Sequence, residues 1–249
     1  MFNNGNIESI VGVVVAGGKA TRMGDLAFNI PKALLTIKDK PLLDYQLDLM
    51  ERHGIREIYI IAHVMADKIE DHLKKSTRLG SVKVITEPKL LGSGGGLRYL
   101  PEADKYLILF GDIAVDMNLS KFIEFHKKKR ADVSVVIQRN SHPFESDLMQ
   151  ISDSNECVRM YCKPHKELLP QNSNLFMVAG VFLFEKQILT VLKNTSKNRP
   201  IDLVKDFIAK MICNEYKVYG YSTSEYLNDM GTPERYKAIN HEWRGCFEK

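Results

Sequence analysis

The stretch "GVVVAGGKATRMGDLAFNIPK", Gly12 to Lys32, decides the reading of this chain. A run of valines empties into Gly17 and Gly18, and Thr21, Arg22, Pro31 and Lys32 follow. β-Branched residues in series favour a buried strand. Glycines at its end let backbone N–H groups come close to an anion. Two anion loops of known spacing are excluded. Walker A needs G-x-x-x-x-G-K-[ST], but Ala20 follows Gly18-Lys19 and Val13 holds the first glycine position. The dinucleotide fingerprint G-x-G-x-x-G also fails, at Lys19 and Ala20. What remains is A-G-G-x-x-T-R-M with P-K downstream, and a tight turn with surface cations is its plain alternative.

Working outward, strand and helix patterns alternate. Ile10 to Ala16 reads as a strand, Leu42 to His53 as a helix stopped by Gly54, and "EIYIIAH" as a strand. Ala66 to Lys75 is helical, "VKVIT" is a strand, and "GGGLRYL" begins a helix after a glycine turn. "YLILF" is a strand, Leu119 to Arg130 a helix and "ADVSVVIQ" a strand. This rhythm predicts an α/β fold with a mostly parallel sheet flanked by helices on both faces. Its strand C-termini should lie along one edge. Beyond about residue 136 the strands shorten: "SDLMQIS", "CVRMYCK", "MVAGVFLFE" and "YKVYGYS". Leu203 to Cys213 and Pro233 to Trp243 read as helices. No Gly/Ser linker or repeat interrupts the chain. One domain is expected over 1–249, with a nucleotide-binding half to about 135 and a smaller mixed-sheet substrate half after it.

The bulk numbers agree. The chain has 249 residues, 44% apolar, 27% charged, with net charge +4. Near-balanced charge suits small anionic substrates and does not call for nucleic acid. The basic run Lys127 to Arg130 reads as a solvated helix end. Cys157, Cys162, Cys213 and Cys246 show no CxxC spacing, which argues against zinc or a disulfide framework and for a reducing compartment. No run is long enough to span a membrane, so a cytoplasmic protein is expected.

The opening pattern resembles the signature of sugar-1-phosphate nucleotidylyltransferases, G-G-x-G-T-R followed by P-K. Ala16, Gly17, Gly18, Thr21, Arg22, Pro31 and Lys32 match, and Ala20 stands where glycine is usual. The resemblance implies a single Rossmann-like domain of GT-A type. Loop N–H groups at Ala16, Gly17, Gly18 and Thr21 would hold an NTP. Arg22 and Lys32 would be the catalytic cations, Arg22 on the terminal phosphates and Lys32 on the α-phosphate. In "EPKLLGSGGGL" the residues Glu87, Gly92, Ser93 and Gly94 match the family's base-holding segment; three successive glycines suit a flat base against backbone. Asp112 ends "YLILFGD", and Asp229 sits in "NDMGTPERY". Each could be a plain turn or cap residue. The family uses the two as ligands of one Mg²⁺, which suits hard carboxylate oxygens.

In the second half, Lys163 of "YCKPH" matches the sugar-phosphate lysine, with Cys162 replacing an acid. Gly180 matches the sugar-pocket segment, where Val178 replaces Asn. "HPFESDLMQI", "KPH" and "YGYSTSEYLNDMGTPER" are similar to a narrower group, the D-glycero-D-manno-heptose 1-phosphate guanylyltransferases. In that group Ser146 and Asp147 would bind sugar hydroxyls. The expectation is transfer of a nucleotidyl group from GTP to a heptose 1-phosphate, making an activated sugar for surface polysaccharide. Mannose or another hexose 1-phosphate, another NTP, a non-catalytic sensor on the same fold, a glycosyltransferase and a homo-oligomer all stay open.

Overall fold

The computed structural model describes residues 9–18, 21–76, 78, 80–139, 143–165, 169–170, 174–195 and 199–244. Ala20, His142 and Cys246 lie outside these. The N-terminal valines form β1 (Ile10–Val15). Short strands β2 (Thr36–Ile37) and β3 (Lys40–Pro41) precede helix α1 (Leu42–Arg52). Then come β4 (Glu57–Ala62), α2 (Ala66–Lys75), β5 (Val82–Thr86) and α3 (Gly92–Gly95). β6 (Lys105–Phe110), β7 (Ile113–Asp116), α4 (Leu119–Lys129) and β8 (Val133–Gln138) complete the first half. The second holds β9 (Leu148–Ile151), β10 (Cys157–Tyr161), β11 (Leu175–Glu185), α5 (Lys186–Lys193), α6 (Ala209–Cys213), β12 (Val218–Ser222), β13 (Tyr226–Asp229) and α7 (Pro233–Glu242).

Nine of these strands form one sheet along the path β10-β9-β11-β6-β1-β4-β5, with β8 beside β11 and β12 beside β8. β5, β4, β1, β6, β8, β12 and β9 all point the same way; β10 and β11 run against them. The sheet is therefore mostly parallel, as the alternating pattern requires. Successive residues face opposite cores. Val11 and Val13 join Ile108, Phe182 and Phe184 on one face, under α5 and Phe207. Val14 joins Leu107, Leu109 and Leu183 on the other, under Leu47 of α1, Ile69 of α2 and Phe122 of α4. Burial on both faces explains the near-continuous apolar runs.

Two elements differ from the sequence expectation. The helix expected at "GGGLRYL" starts two residues earlier, at Gly92, and is short: Gly92–Gly95 is helical and a 3₁₀ turn, Gly96–Tyr99, carries it on. Leu203–Ile208 winds as a π-helix before α6, whereas the apolar spacing reads as one α-helix through Cys213. Among the described residues no helix is long and apolar enough to cross a membrane.

The parallel strands end together. Gly111 N donates to Val15 O at 2.9 Å, Ala16 N to Ile61 O at 2.8 Å, and Glu87 N to Ala62 O at 2.8 Å. The loops after β1, β4, β5 and β6 are thus tied side by side along one edge, where ligands of open α/β sheets bind.

Candidate active site

Two cavities open on that edge. The first, about 250 Å³, is lined by the glycine loop Ala16–Gly18, by Glu87, Leu90, Gly92 and Ser93, and by Lys32. The second, about 170 Å³, is lined by Arg22, Glu145, Ser146, Asp147, Lys163, Gly180, Asp229 and Arg235. Phe110 and Asp112 belong to both. A strand end places them there: β6 stops at Phe110, and Gly111-Asp112 turns the chain into β7.

That turn is braced from below. Gln46, fully buried on α1, donates through Nε2 to Phe110 O at 2.9 Å and to Ile113 O at 2.8 Å. Sequence reading passes over Gln46, because one amide on an apolar helix face gives no local signal. Gln46→Leu removes the donor from both carbonyls, a loss of about 1–3 kcal/mol for a buried pairing. Its own Oε1 has no partner, so the lower end applies. The expected result is a lowered thermal midpoint, read by melting curves.

Lys32 opens a short 3₁₀ turn after Pro31, and its Nζ reaches Asp112 Oδ2 at 3.0 Å. The lysine side chain is 17% exposed. Across the turn, β7 pairs antiparallel with β13, which sets Asp229 opposite Ile113. Met230 N then donates to Asp112 O at 2.7 Å. Asp112 and Asp229, far apart in the sequence, come together through this ribbon. Arg235 Nη1 grips both Asp229 oxygens, at 2.9 and 2.8 Å. Arg22, at the start of the turn Thr21–Ala27, faces the second cavity. Its guanidinium lies beside Gly231, where a Cβ would stand 3.3 Å from Nη2. Thr21 is exposed and lines neither cavity.

In the second cavity, Lys163 N donates to Asp147 Oδ1 at 2.9 Å and its Nζ to Glu145 O at 3.1 Å. Gly180 takes φ +75° where β11 slips register against β8, and a Cβ there would press Ile113 at 2.9 Å. The bulge aims residues 178–180 into the cavity, a frequent device beside sites. Cys162, where an acid is usual, is half-buried, and burial pushes its thiol up to about 11, so it stays neutral.

The second glycine stretch packs partly against protein and partly lines the first cavity. Gly94, Gly95 and Gly96 are buried by protein rather than open to a base. A Cβ on Gly94 would meet Ile201 and Leu203 at 3.2 and 3.3 Å; one on Gly96 would meet Glu87 Oε1 at 2.6 Å. Only Gly92 and Ser93 of this run reach the first cavity, and Ser93 Oγ accepts from Leu203 N at 2.9 Å.

Glu87 sits between Gly17 and Gly96, 3% exposed, with Oε1 unpaired. Burial pushes its carboxyl up to about 7, against the pull of His63 and Arg98. The unfolded carboxyl titrates near 4.5, so the fold disfavours the charged form. Stability from this group is complete below pH 4.5 and falls as pH rises to about 7, by about 3 kcal/mol in all. Glu87→Gln should flatten that slope and melt higher than wild type at pH 8, with little difference at pH 4; a pH series of melting curves checks it.

The nucleotidyl transferase family pattern matches residues 11–244. The chain belongs to that family. A Sulfolobus acidocaldarius protein named for mannose-1-phosphate guanyltransferase activity is 30% identical over 92% of this chain and 62% of its own length. The mannose-1-phosphate guanylyltransferase of Mycobacterium tuberculosis is 26% identical over 89% of the chain and 61% of its own. This family member thus spans about three fifths of those curated relatives. Among solved structures, HddC from Yersinia pseudotuberculosis, complexed with GMP-PN, superposes with TM-score 0.74 at 23% identity, covering 94% of this chain and 99% of that one. A Bacillus anthracis protein named for glucose-1-phosphate thymidylyltransferase activity, with sucrose bound, gives 0.79 at 18%, covering 97% and 98%. At these identities the likeness concerns the fold.

Proposed function

We propose that this chain transfers a nucleotidyl group from an NTP to a sugar 1-phosphate and releases pyrophosphate. The observation that carries the reading is the pair of cavities meeting at Asp112 and Phe110, with Lys32 on the first and Arg22 and Lys163 on the second. A phosphate oxygen of the sugar forms a bond to the α-phosphorus. The bond to the bridging oxygen breaks, and its electron pair leaves with pyrophosphate. That nucleophile is already ionised, so the transfer needs no general base. The chain's task is to align two anions and offset their charge. Loop amides at Ala16–Gly18 and the Lys32 ammonium face the triphosphate; Lys163 faces the sugar phosphate.

The family implies Mg²⁺, and the residues fit it. Asp112, in the turn before β7, and Asp229, at the end of β13, both line the second cavity and offer hard oxygens there, now held by Lys32 and Arg235. Two carboxylates with phosphate and water oxygens are the usual Mg²⁺ donor set. Bound there, the ion would neutralise phosphate charge.

For the base we favour guanine, supported by the names of the two relatives and by the guanylyltransferase-like motifs. For the sugar we favour D-glycero-D-manno-heptose 1-phosphate, from His142–Ile151 and Lys163–His165. Mannose 1-phosphate is the second reading, supported by the same relatives' names. Four NTPs against heptose, mannose and glucose 1-phosphates, read by pyrophosphate release, test both. GTP with the heptose phosphate should turn over fastest. Binding without pyrophosphate would turn the reading to a sensor, and a preference for UTP or dTTP would remove guanine.

A further inference from the structure

Arg235 stands between the two halves of the site. It occupies the first turn of α7, capped by Thr232, whose Oγ accepts from Arg235 N at 3.3 Å. The helix is rooted in a small apolar core through Ile239, with Trp243 just beyond its end, against Met23, Tyr45 and Met230. From that fixed base the guanidinium forks. Nη1 holds both oxygens of Asp229, and Nη2 holds Glu145 Oε2 at 2.7 Å. Glu145 ends the turn Pro143–Glu145, and the chain runs from it into Ser146 and Asp147 of the sugar cavity. The other side of this segment is tied by Lys163, whose Nζ takes Glu145 O and whose N–H takes Asp147 Oδ1. One planar cation therefore joins a carboxylate on the phosphate side to a segment on the sugar side.

The energetics suit a movable link. The side chains of Arg235, Asp229 and Glu145 are 34%, 39% and 65% exposed. Ion pairs this wet are worth little to the fold and are cheap to rearrange. Nη1 alone contacts both Asp229 oxygens while Nη2 turns to Glu145, so one rigid planar group ties the two carboxylates to each other. Whatever pulls Glu145 changes how firmly Arg235 holds Asp229, and a cation drawn to Asp229 changes the hold on Glu145.

We propose that Arg235 is a positioning residue that couples sugar 1-phosphate binding at Pro143–Asp147 to the orientation of Asp229. This rests on the transfer reading above, with Asp229 facing a divalent ion. Linkage makes the effect reciprocal, and couplings of this kind run from about 5- to 150-fold. Sugar 1-phosphate tightens divalent-ion binding, and the ion alters the Pro143–Asp147 segment.

The test uses the full chain with Mn²⁺ as the probe, free ion being read by electron spin resonance. Mannose 1-phosphate and the heptose 1-phosphate are each added to wild type, Glu145→Gln and Arg235→Lys. Wild type should bind Mn²⁺ several-fold tighter with the sugar phosphate. Glu145→Gln weakens sugar phosphate binding as well, so the coupling is read at saturating sugar phosphate, as the ratio of Mn²⁺ affinities with and without it, and should fall to within about twofold. Arg235→Lys, a point charge without the fork, should lose most of it. Hydrogen exchange over residues 143–147 gives a reading that needs no sugar. It should change with Mn²⁺ in wild type and not in Arg235→Lys. Equal coupling in wild type and Glu145→Gln, or wild-type exchange indifferent to Mn²⁺, overturns the link. Pyrophosphate release by wild type stands apart and judges the transfer reading.

Discussion

Lys32→Ala should lower turnover by about 10²- to 10³-fold while leaving the fold intact. The ammonium lines the first cavity, 3.0 Å from Oδ2 of the shared Asp112, in a wall that also holds the glycine loop. In the proposed transfer, charge builds on the α-phosphoryl oxygens as the new bond forms, and a fixed cation there would act on the transition state more than on bound NTP. Removing it has a second cost. Asp112 is left as an uncompensated anion facing a polyanionic substrate, and their repulsion adds to the lost attraction. The loss should therefore fall mainly on kcat, with a smaller rise in NTP KM. Lys32→Arg should recover only part, since a planar fork does not replace a compact point charge. The pair is partly open to water, so melting should shift little. Saturating steady-state assays with melting curves decide the matter. Turnover within a few-fold of wild type would remove Lys32 from the chemistry.

The sheet-edge position of Asp112 was legible from its own neighbourhood, an apolar strand running into a glycine and a carboxylate. Asp229 was singled out by resemblance alone. Its partnership with Asp112 depends on the β7–β13 ribbon, a pairing across more than a hundred residues that no local pattern announces. Gln46 and Arg235 escaped for a related reason. An amide on an apolar face and an arginine in a first helical turn look ordinary until the turn and the carboxylates they grip are folded beside them. The π-helix at Leu203–Ile208 was hidden because its apolar spacing fits an α-helix equally well. The glycines misled most. Missing side chains signal that something approaches closely, but not whether it is a ligand or another stretch of backbone.

Gly92 shows which it is. Gly92→Ala should destabilise the protein by about 3 kcal/mol, combining a left-handed backbone that L-residues avoid with overpacking. The residue has φ +78°, and a Cβ would stand 2.5 Å from Ile201 O, 2.9 Å from its carbonyl carbon and 3.0 Å from its nitrogen. All three are backbone atoms, so no side chain can swing aside. Ile201 is itself held in place, its N–H donating to Leu91 O at 2.7 Å and its carbonyl accepting from Gly94 N at 2.9 Å. Relief requires the chain at 201–203 to move. That breaks the bond from Leu203 N to Ser93 Oγ and disturbs Leu203, Val204 and Phe207 in the core. Ser93 lines the first cavity, so nucleotide KM should rise together with the loss of stability. For a chain of this size the melting midpoint should fall by roughly 6–12 °C. Gly94→Ala makes a graded comparison: its nearest neighbours are 3.2 and 3.3 Å away and its φ is ordinary, so a smaller drop is expected. Gly18→Ala, with nothing within 4 Å, should leave melting unchanged while testing the anion loop alone. If Gly92→Ala melted like Gly18→Ala, the segment at 201–203 would not be pressed against the glycines, and the coupling of the base-side wall to the π-helix would fail.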